Sequence, residues 1–440
     1  MPILDLDKLK REIDSCERFR TTAKLQSAKG ILTCGLPAAI GDQCIIDSGS
    51  KHSVLAEVIG FDDGEAYLLP YEQPEFIQPG MSVSRLGHGL SVPVGKGLLG
   101  RTLDGLGRPV DGLGALTQCI RIPMTSDAPE ALQRARIREP FVTGQRAIDG
   151  LLTLGRGQRV GIFAGSGVGK STLLGEIAKG ASSDVNVIAL IGERGRELGP
   201  FIEDCLGAEG LARSVVVVAT CEQTPLMRVR AAQVAITMAD YFRELGSNVL
   251  FLCDSLTRLA MAQREMGLQL GEPPSARGYT PSVFQLLATT AERLGNSAKG
   301  SISGILTVLV DGDDLDEPIS DAVRSIVDGH IVLDRKLAEK GQYPPINVSR
   351  SISRIARDVT DASQQGASQK FRAIMAEYAN AEDLIRIGAY AKGSSPKVDR
   401  AVELLPAINA FLRQGVDERT TFEDTKTALQ RIASAWNFPD

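Results

Sequence analysis

Between Gly161 and Gly180 the chain reads GIFAGSGVGKSTLLGEIAKG, a lysine and a serine set side by side after a glycine-rich turn. The apolar lead-in RVGIFA reads as a strand, and Leu173, Leu174, Ile177, Ala178 and Ala181 mark one face of a following helix. Gly165, Gly167 and Gly169 let the backbone turn its N–H groups inward at that helix's start, where the helix dipole also favours anions. Strand, glycine-rich loop, Lys-Ser and helix together are the context of a phosphate cradle running from Gly165 through Ser166, Gly167, Val168, Gly169, Lys170 and Ser171 to Thr172. Lys170 would reach the β- and γ-phosphates, and the Ser171 hydroxyl would bind Mg²⁺. Where the strict pattern opens with a glycine, this chain has Ala164.

Two carboxylates extend the site. Asp254 ends the apolar run NVLFLCD, where it could hold Mg²⁺ directly or through water, or simply cap the next helix. In VIALIGERGRELG, Glu193 stands just past another apolar run. There it could polarise an attacking water, or it could be a helix-start carboxylate that stabilises the dipole.

These residues need a sheet to bring them together. From Gly144 to Leu333, near-continuous Val/Ile/Leu runs (RVGIFA, VNVIALIG, SVVVVAT, NVLFLCD, SGILTVLV, GHIVLD) alternate with helical patterns, which predicts a parallel α/β sheet buried on both faces. From Ala28 to Leu90, short β-prone runs punctuated by Gly, Pro and Asp predict a small antiparallel barrel or sandwich. A Gly-rich stretch follows, VPVGKGLLGRTLDGLGRPVDGLG, too turn-prone for regular structure and suited to a shaped connector, taken as 93–143. Beyond Asp361 the chain reads as helical. Near the start, Leu6, Leu9 and Ile13 recur at helical spacing, either as a stripe packed on its own domain or as an arm offered to a partner. The expected division is an arm over 1–20, a barrel domain over 21–92, the α/β domain with its connector over 93–360, and a helical domain over 361–440.

Composition narrows the class. A net charge of −5 argues against a surface devoted to nucleic acid. Seven cysteines without a C-x-x-C pair suggest reduced thiols in the cytosol. No uncharged apolar run approaches the roughly 18 residues needed to cross a bilayer, so membrane work would go through a partner.

With GERGRE added to TGQRAIDGLLTLGRGQRVGIFAGSGVGKS and PPINVSRSIS, the chain resembles the catalytic subunits of rotary ATPases. Within that superfamily EPPSARGYTPSVF, KGSISGILTVLVDGDDLDEPI and LIRIGAYAKGSSPKVDRAVELLPAINAFLRQG make it similar to the export ATPases of flagellar and other type III secretion systems. The resemblance implies a β-barrel N-domain, a RecA-like P-loop core and an all-helical C-domain. It implies that Gly165, Gly167, Gly169, Lys170, Ser171 and Asp254 bind MgATP, that Glu193 is the catalytic carboxylate, and that Arg194 stands beside it. Tyr343 matches a tyrosine that stacks on adenine, although a loop aromatic packed on the core is the plainer alternative. Arg354 matches an arginine finger supplied by a neighbour in a homohexamer; a structural arginine in a capping turn is the other reading, and Arg350 stands near it. Asp313 and Asp314 are implied contacts for a coiled-coil stalk in the pore, and the N-terminal arm for a tethering regulator. The helical domain is implied to face the export gate and to receive chaperones and export substrates. The implied setting is cytoplasmic, peripheral at the inner-membrane export apparatus.

Flagellar export is therefore the first expectation and injectisome secretion the next, since the two branches share nearly every motif. A rotary ATP synthase subunit fits less well, because of the extra arm. An RNA-translocating ring would need exposed aromatic and basic residues in the barrel. The 28–90 segment has few of either apart from Phe61, Tyr67, Tyr71 and Phe76.

Overall fold

The computed structural model describes residues 21–47, 53–124, 127–130, 132, 134–310 and 314–438 of the 440-residue chain. The N-terminal barrel closes in the order Thr22–Lys29, Ile31–Cys34, Glu65–Pro70, Ser53–Asp62, Asp42–Asp47, Ser82–Gly89, every neighbouring pair antiparallel. Alternation fills its interior with Leu25, Leu32, Cys34, Ile46, Val58, Leu68 and Val83. The hairpin at Asp62–Glu65 turns on Asp63 and Gly64, both at positive φ (49° and 83°), the pairing that a tight two-residue turn favours.

The central sheet runs Ile352–Ser353, Gly329–Leu333, Arg159–Ala164, Ser301–Leu309, Asn248–Asp254, Val185–Glu193, Ser214–Thr220, Arg101–Leu103. Along this path every pairing is parallel except the first. All six apolar runs read from the sequence are strands of it. The outermost strand, Arg101–Leu103, comes from the stretch expected to lack regular structure. Three residues are too few to show a period, and only Leu103 of them is buried, so pairing with Ser214–Thr220 makes the strand rather than any pattern of its own.

Helices cover both faces. Along Val185–Glu193, Val187, Ala189 and Ile191 join the core under the helices Pro225–Glu244, Leu256–Gln269 and Pro281–Arg293. Ile188 and Leu190 face the other way, toward the helix Lys170–Gly180 and the C-terminal helices. Those C-terminal helices, Ala362–Arg386, Pro396–Leu412 and Phe422–Ser434, pack Phe371, Phe411 and Leu429 against Ile148 of the short helix Arg146–Leu151.

Barrel and core are joined by a buried polar knot. Arg230, on the helix Pro225–Glu244, forks onto Glu57 of the barrel, with Nε 2.8 Å from Oε2 and Nη2 bonded to Oε1. Tyr71 donates its hydroxyl to Glu57 Oε2 at 2.5 Å, and Thr224 donates to the Tyr71 carbonyl at 2.7 Å. Burial and the Glu57 charge push the Tyr71 phenol well above its usual range. A carboxylate only 1% exposed depends on that guanidinium for charge compensation. Arg230→Met should therefore lower stability by about 3 kcal/mol in denaturant unfolding, and adding Glu57→Gln should recover much of the loss. Equal stability of Arg230→Met and the parent would show that the knot contributes nothing.

Candidate active site

The loop after Arg159–Ala164 is held by its glycines. Gly167 and Gly169 have φ of 78° and 88°, a left-handed conformation that side chains resist, and Gly169 leads directly into the helix Lys170–Gly180. Ala164, which replaces the expected glycine, is the last, buried residue of the strand. A side chain is tolerated there because the turn begins after it. Val168 tucks into the core, while Ser166, Gly167, Ser171 and Thr172 are exposed along the loop and the first helical turn.

Lys170, Asp254 and Glu193 converge. The Lys170 ammonium donates to Asp254 Oδ1 and stands 3.9 Å from Glu193 Oε1. Asp254 is 3% exposed, and its Oδ1 also accepts from Thr307 Oγ1 at 2.8 Å. Thr307 belongs to the strand lying between that of Asp254 and that of the phosphate loop. Burial raises the Glu193 carboxyl above its ordinary value, the Asp254 charge adds to this, and Lys170 and Arg258 oppose it. Arg258 follows the helix cap Ser255, and its side chain passes Gly192, where an added Cβ would lie 2.8 Å from the arginine's own. Neither Thr307 nor Arg258 stands out in the sequence. Thr307 is one polar residue in a buried apolar run, and Arg258 is one more charge on a helix.

Tyr343 lies on the other side of the loop. Its ring atoms Cδ1 and Cε1 are 3.9 Å from where a Cβ on Gly169 would sit, and the side chain is 53% exposed. It is not packed into the core. Ser171 and Asp254 offer hard oxygen donors on the same side of the sheet, a donor set that suits Mg²⁺, and among the described residues no cluster of three acidic, His or Cys side chains forms a protein-only cage. Such a pair fits a metal that takes most of its ligands from phosphates and water.

The other candidates lie apart. Arg194 is exposed, 3.6 Å from Glu197. Arg354 sits at the far end of the sheet: Ser353 pairs with Gly329 and His330 with Gly161, whereas the phosphate loop leaves from Ala164, opposite Leu333. That is roughly 10 Å of strand. The Arg354 guanidinium donates to the Arg324 carbonyl at 3.4 Å and lines an open cleft of about 820 Å³ together with Arg350, Arg357, Arg372 and His330. Among the described residues no carboxylate lines that cleft. Arg350 also borders a small recess beside Gly165. Asp314 pairs with Arg277 at 3.4 Å. Asp313 and the arm residues Leu6, Leu9 and Ile13 lie outside the described residues.

Three family models match this chain. The nucleotide-binding domain of the ATP synthase alpha/beta family covers residues 144–353, the beta-barrel domain of that family covers 32–87, and the T3SS EscN ATPase C-terminal domain covers 360–431. A flagellum-specific ATP synthase of Bacillus subtilis is 48% identical, across 96% of this chain and 97% of its own. One from Salmonella typhimurium is 44% identical over 97% of each, and a type 3 secretion system ATPase of Xanthomonas euvesicatoria 43% over 98% of each. The assembled ATPase EscN of the enteropathogenic E. coli type III secretion system superposes with a TM-score of 0.89 at 43% identity, covering 93% of this chain and all of that one. Matched over nearly its whole length at these identities, the chain belongs to the family of flagellum-specific and type III secretion system ATPases.

Proposed function

We propose that this protein is the ATPase of a flagellar type III export apparatus, and that it hydrolyses ATP with Lys170, Glu193 and Asp254 as the working side chains of one site. The observation that carries this reading is the convergence of one lysine and two strand-end carboxylates at a glycine-rich loop. Loop amides from Gly165 to Thr172 bind the phosphates, Lys170 exchanges Asp254 for the β- and γ-phosphates, and Tyr343 stacks on the adenine. Ser171 and Asp254 would hold Mg²⁺, which when bound neutralises charge on the phosphate oxygens. Glu193 accepts the proton of the attacking water, and a carboxyl raised above its ordinary value is the stronger base. Arg194 follows it in the chain as an exposed cation that the nucleotide would have to draw in from Glu197.

Arg354 cannot reach its own phosphate loop without leaving its end of the sheet, so it serves a neighbouring copy. The cleft it lines, rich in guanidinium groups and open to solvent, supports a face that meets an anionic site on another chain. A homohexameric ring supplies that neighbour. An assembled relative and a relative bound to its central stalk support the ring and a stalk in its pore, with the loop at Asp313 and Asp314 as the contact. The N-terminal arm docks a tethering regulator, and the helical domain receives chaperones, export substrates and the gate. The protein acts in the cytoplasm at the inner membrane, dissociating chaperone–substrate complexes and unfolding what is exported.

Glu193→Gln should still bind ATP yet lose about 10²–10⁴-fold in turnover, the usual cost of removing a general base. Near-parental turnover would end the assignment. Arg258→Ala should leave nucleotide binding intact and move the acid limb of the kcat/KM profile to higher pH. The lost positive charge had favoured the ionised Glu193, so its pKa must rise. A limb that stays in place or falls would separate Arg258 from Glu193. Arg354→Ala should bind ATP but hydrolyse it on the order of 10³-fold more slowly or worse. Mixed with inactive Lys170→Ala, it should regain measurable activity, because an intact loop on one chain meets an intact finger on the next. No rescue from well-mixed subunits would place Arg354 in its own site or in a purely structural role.

A further inference from the structure

Arg335 has no part in the site as described. It opens the short helix Arg335–Glu339 just after the strand Gly329–Leu333. Its side chain is exposed, and Nη2 donates to the main-chain carbonyl of Ser166 at 3.1 Å. Among the described residues no carboxylate pairs with it, so this guanidinium is committed to one carbonyl of the phosphate loop. The backbone that carries it is fixed. Asp334 accepts from Lys336 N and from Asn347 Nδ2, both at 2.9 Å, and donates its own N–H to the Pro345 carbonyl at 2.9 Å. The same segment ends at Tyr343, against Gly169. It therefore flanks the loop at two points.

The orientation of one peptide is at stake. A trans peptide points its C=O and N–H in opposite directions. With the Ser166 carbonyl drawn toward Arg335, the Gly167 N–H must point away from it. The loop alone does not enforce this. Glycine populates positive and negative φ about equally, and a Cβ on Gly167 would meet nothing within 4 Å, so no packing selects its conformation. We propose that Arg335 is a positioning residue of the nucleotide site: it holds the Ser166–Gly167 peptide with its amide turned into the phosphate cradle, and so governs affinity for the triphosphate rather than the rate of its hydrolysis. This rests on the reading of the Gly165–Ser171 loop as the ATP site.

The test is steady-state kinetics and titration with a ribose-labelled fluorescent ATP analogue, on the full chain. Arg335→Ala should raise KM and weaken analogue binding about ten-fold, the worth of one amide aimed at a charged group, while kcat changes by less than about two-fold. Arg335→Met, which keeps bulk without a donor, should behave like alanine. Arg335→Lys, which keeps one donor, should recover most of the affinity. Since the side chain is exposed, thermal unfolding should match the parent in all three. Unchanged KM in Arg335→Ala, or a fall in kcat at constant KM, would overturn the role. Lys170→Ala is the control: if it loses binding while Arg335→Ala does not, only the Arg335 proposal fails. If Lys170→Ala also binds like the parent, the loop is not the ATP site, and the reading beneath the proposal fails with it.

Discussion

Two carboxylates at one end of a buried sheet require a cation, and the core of this protein is arranged so that Lys170 is that cation. Asp254 is almost wholly buried, and Glu193 stands at the tip of the adjacent strand. Burial first, and the Asp254 charge after it, raise the proton affinity of the Glu193 carboxyl. Register keeps the two carboxylates from colliding. Asp254 pairs with Leu190, so Glu193 projects three residues farther along its strand. The phosphate-loop strand lies two places away from that of Asp254, across Ser301–Leu309, a lateral gap of roughly 10 Å. A lysine at the first turn of the following helix spans that gap, and Thr307 on the intervening strand holds the carboxylate it meets. The pair keeps the lysine side chain extended across the ends of the strands.

The same parallel sheet that gathers these groups at its carboxyl ends sends others away. Each strand's start lies at the opposite edge, and the chain returns through Ile352–Ser353, antiparallel to its neighbour, at that edge. Arg354 follows immediately. Geometry of one chain therefore leaves the loop, lysine and carboxylates at one end of the sheet and a cleft lined by guanidinium groups toward the other, with no carboxylate among the described residues that line it. Burial and the positive charges of Arg324 and Arg354 also hold the His330 imidazole below its usual range, so this face keeps its charge on guanidinium rather than on a titrating ring. A face of that kind suits a fixed anionic neighbour.

Much of this was legible in the sequence because it was written locally. The six apolar runs became strands, since continuous Val/Ile/Leu is what a two-sided buried sheet demands. The glycine-rich turn from strand to helix was legible for the same reason, as its glycines and Lys-Ser are adjacent in the chain. What stayed hidden depends on pairing across distance. Arg101–Leu103 is a strand only because Ser214–Thr220 offers an edge. Thr307 and Arg335 find their partners more than 50 and more than 160 residues away, and nothing beside either one marks it. The placement of Arg354 at the far end of the sheet follows from register, which no short motif encodes.

One contact ties the helical region to the site itself. Gln414, just past the helix Pro396–Leu412, donates its main-chain N–H to the Tyr343 carbonyl at 2.8 Å. Its side chain donates to the Gly144 carbonyl at 2.7 Å and accepts from Arg146 N at 2.9 Å. Gly144 in turn is held by Asp149, whose fully buried carboxylate accepts from Thr143 N, Thr143 Oγ1 and Gly144 N within 2.9 Å. Burial lifts that carboxyl to about 6 in spite of those three donors. Gly180, at the end of the phosphate-loop helix, passes so close that an added Cβ would lie 2.9 Å from the Thr143 carbonyl. Tyr343, the far end of the phosphate-loop helix and the start of the C-terminal loop thus share one hydrogen-bonded turn. A shift of the helical region relative to the core must then either carry Tyr343 with it or break bonds to buried groups, which costs about 1–3 kcal/mol for each group left unpaired. Carrying the tyrosine costs less, since its ring is half exposed. The position of the ring against Gly169 is therefore tied to the position of the C-terminal helices.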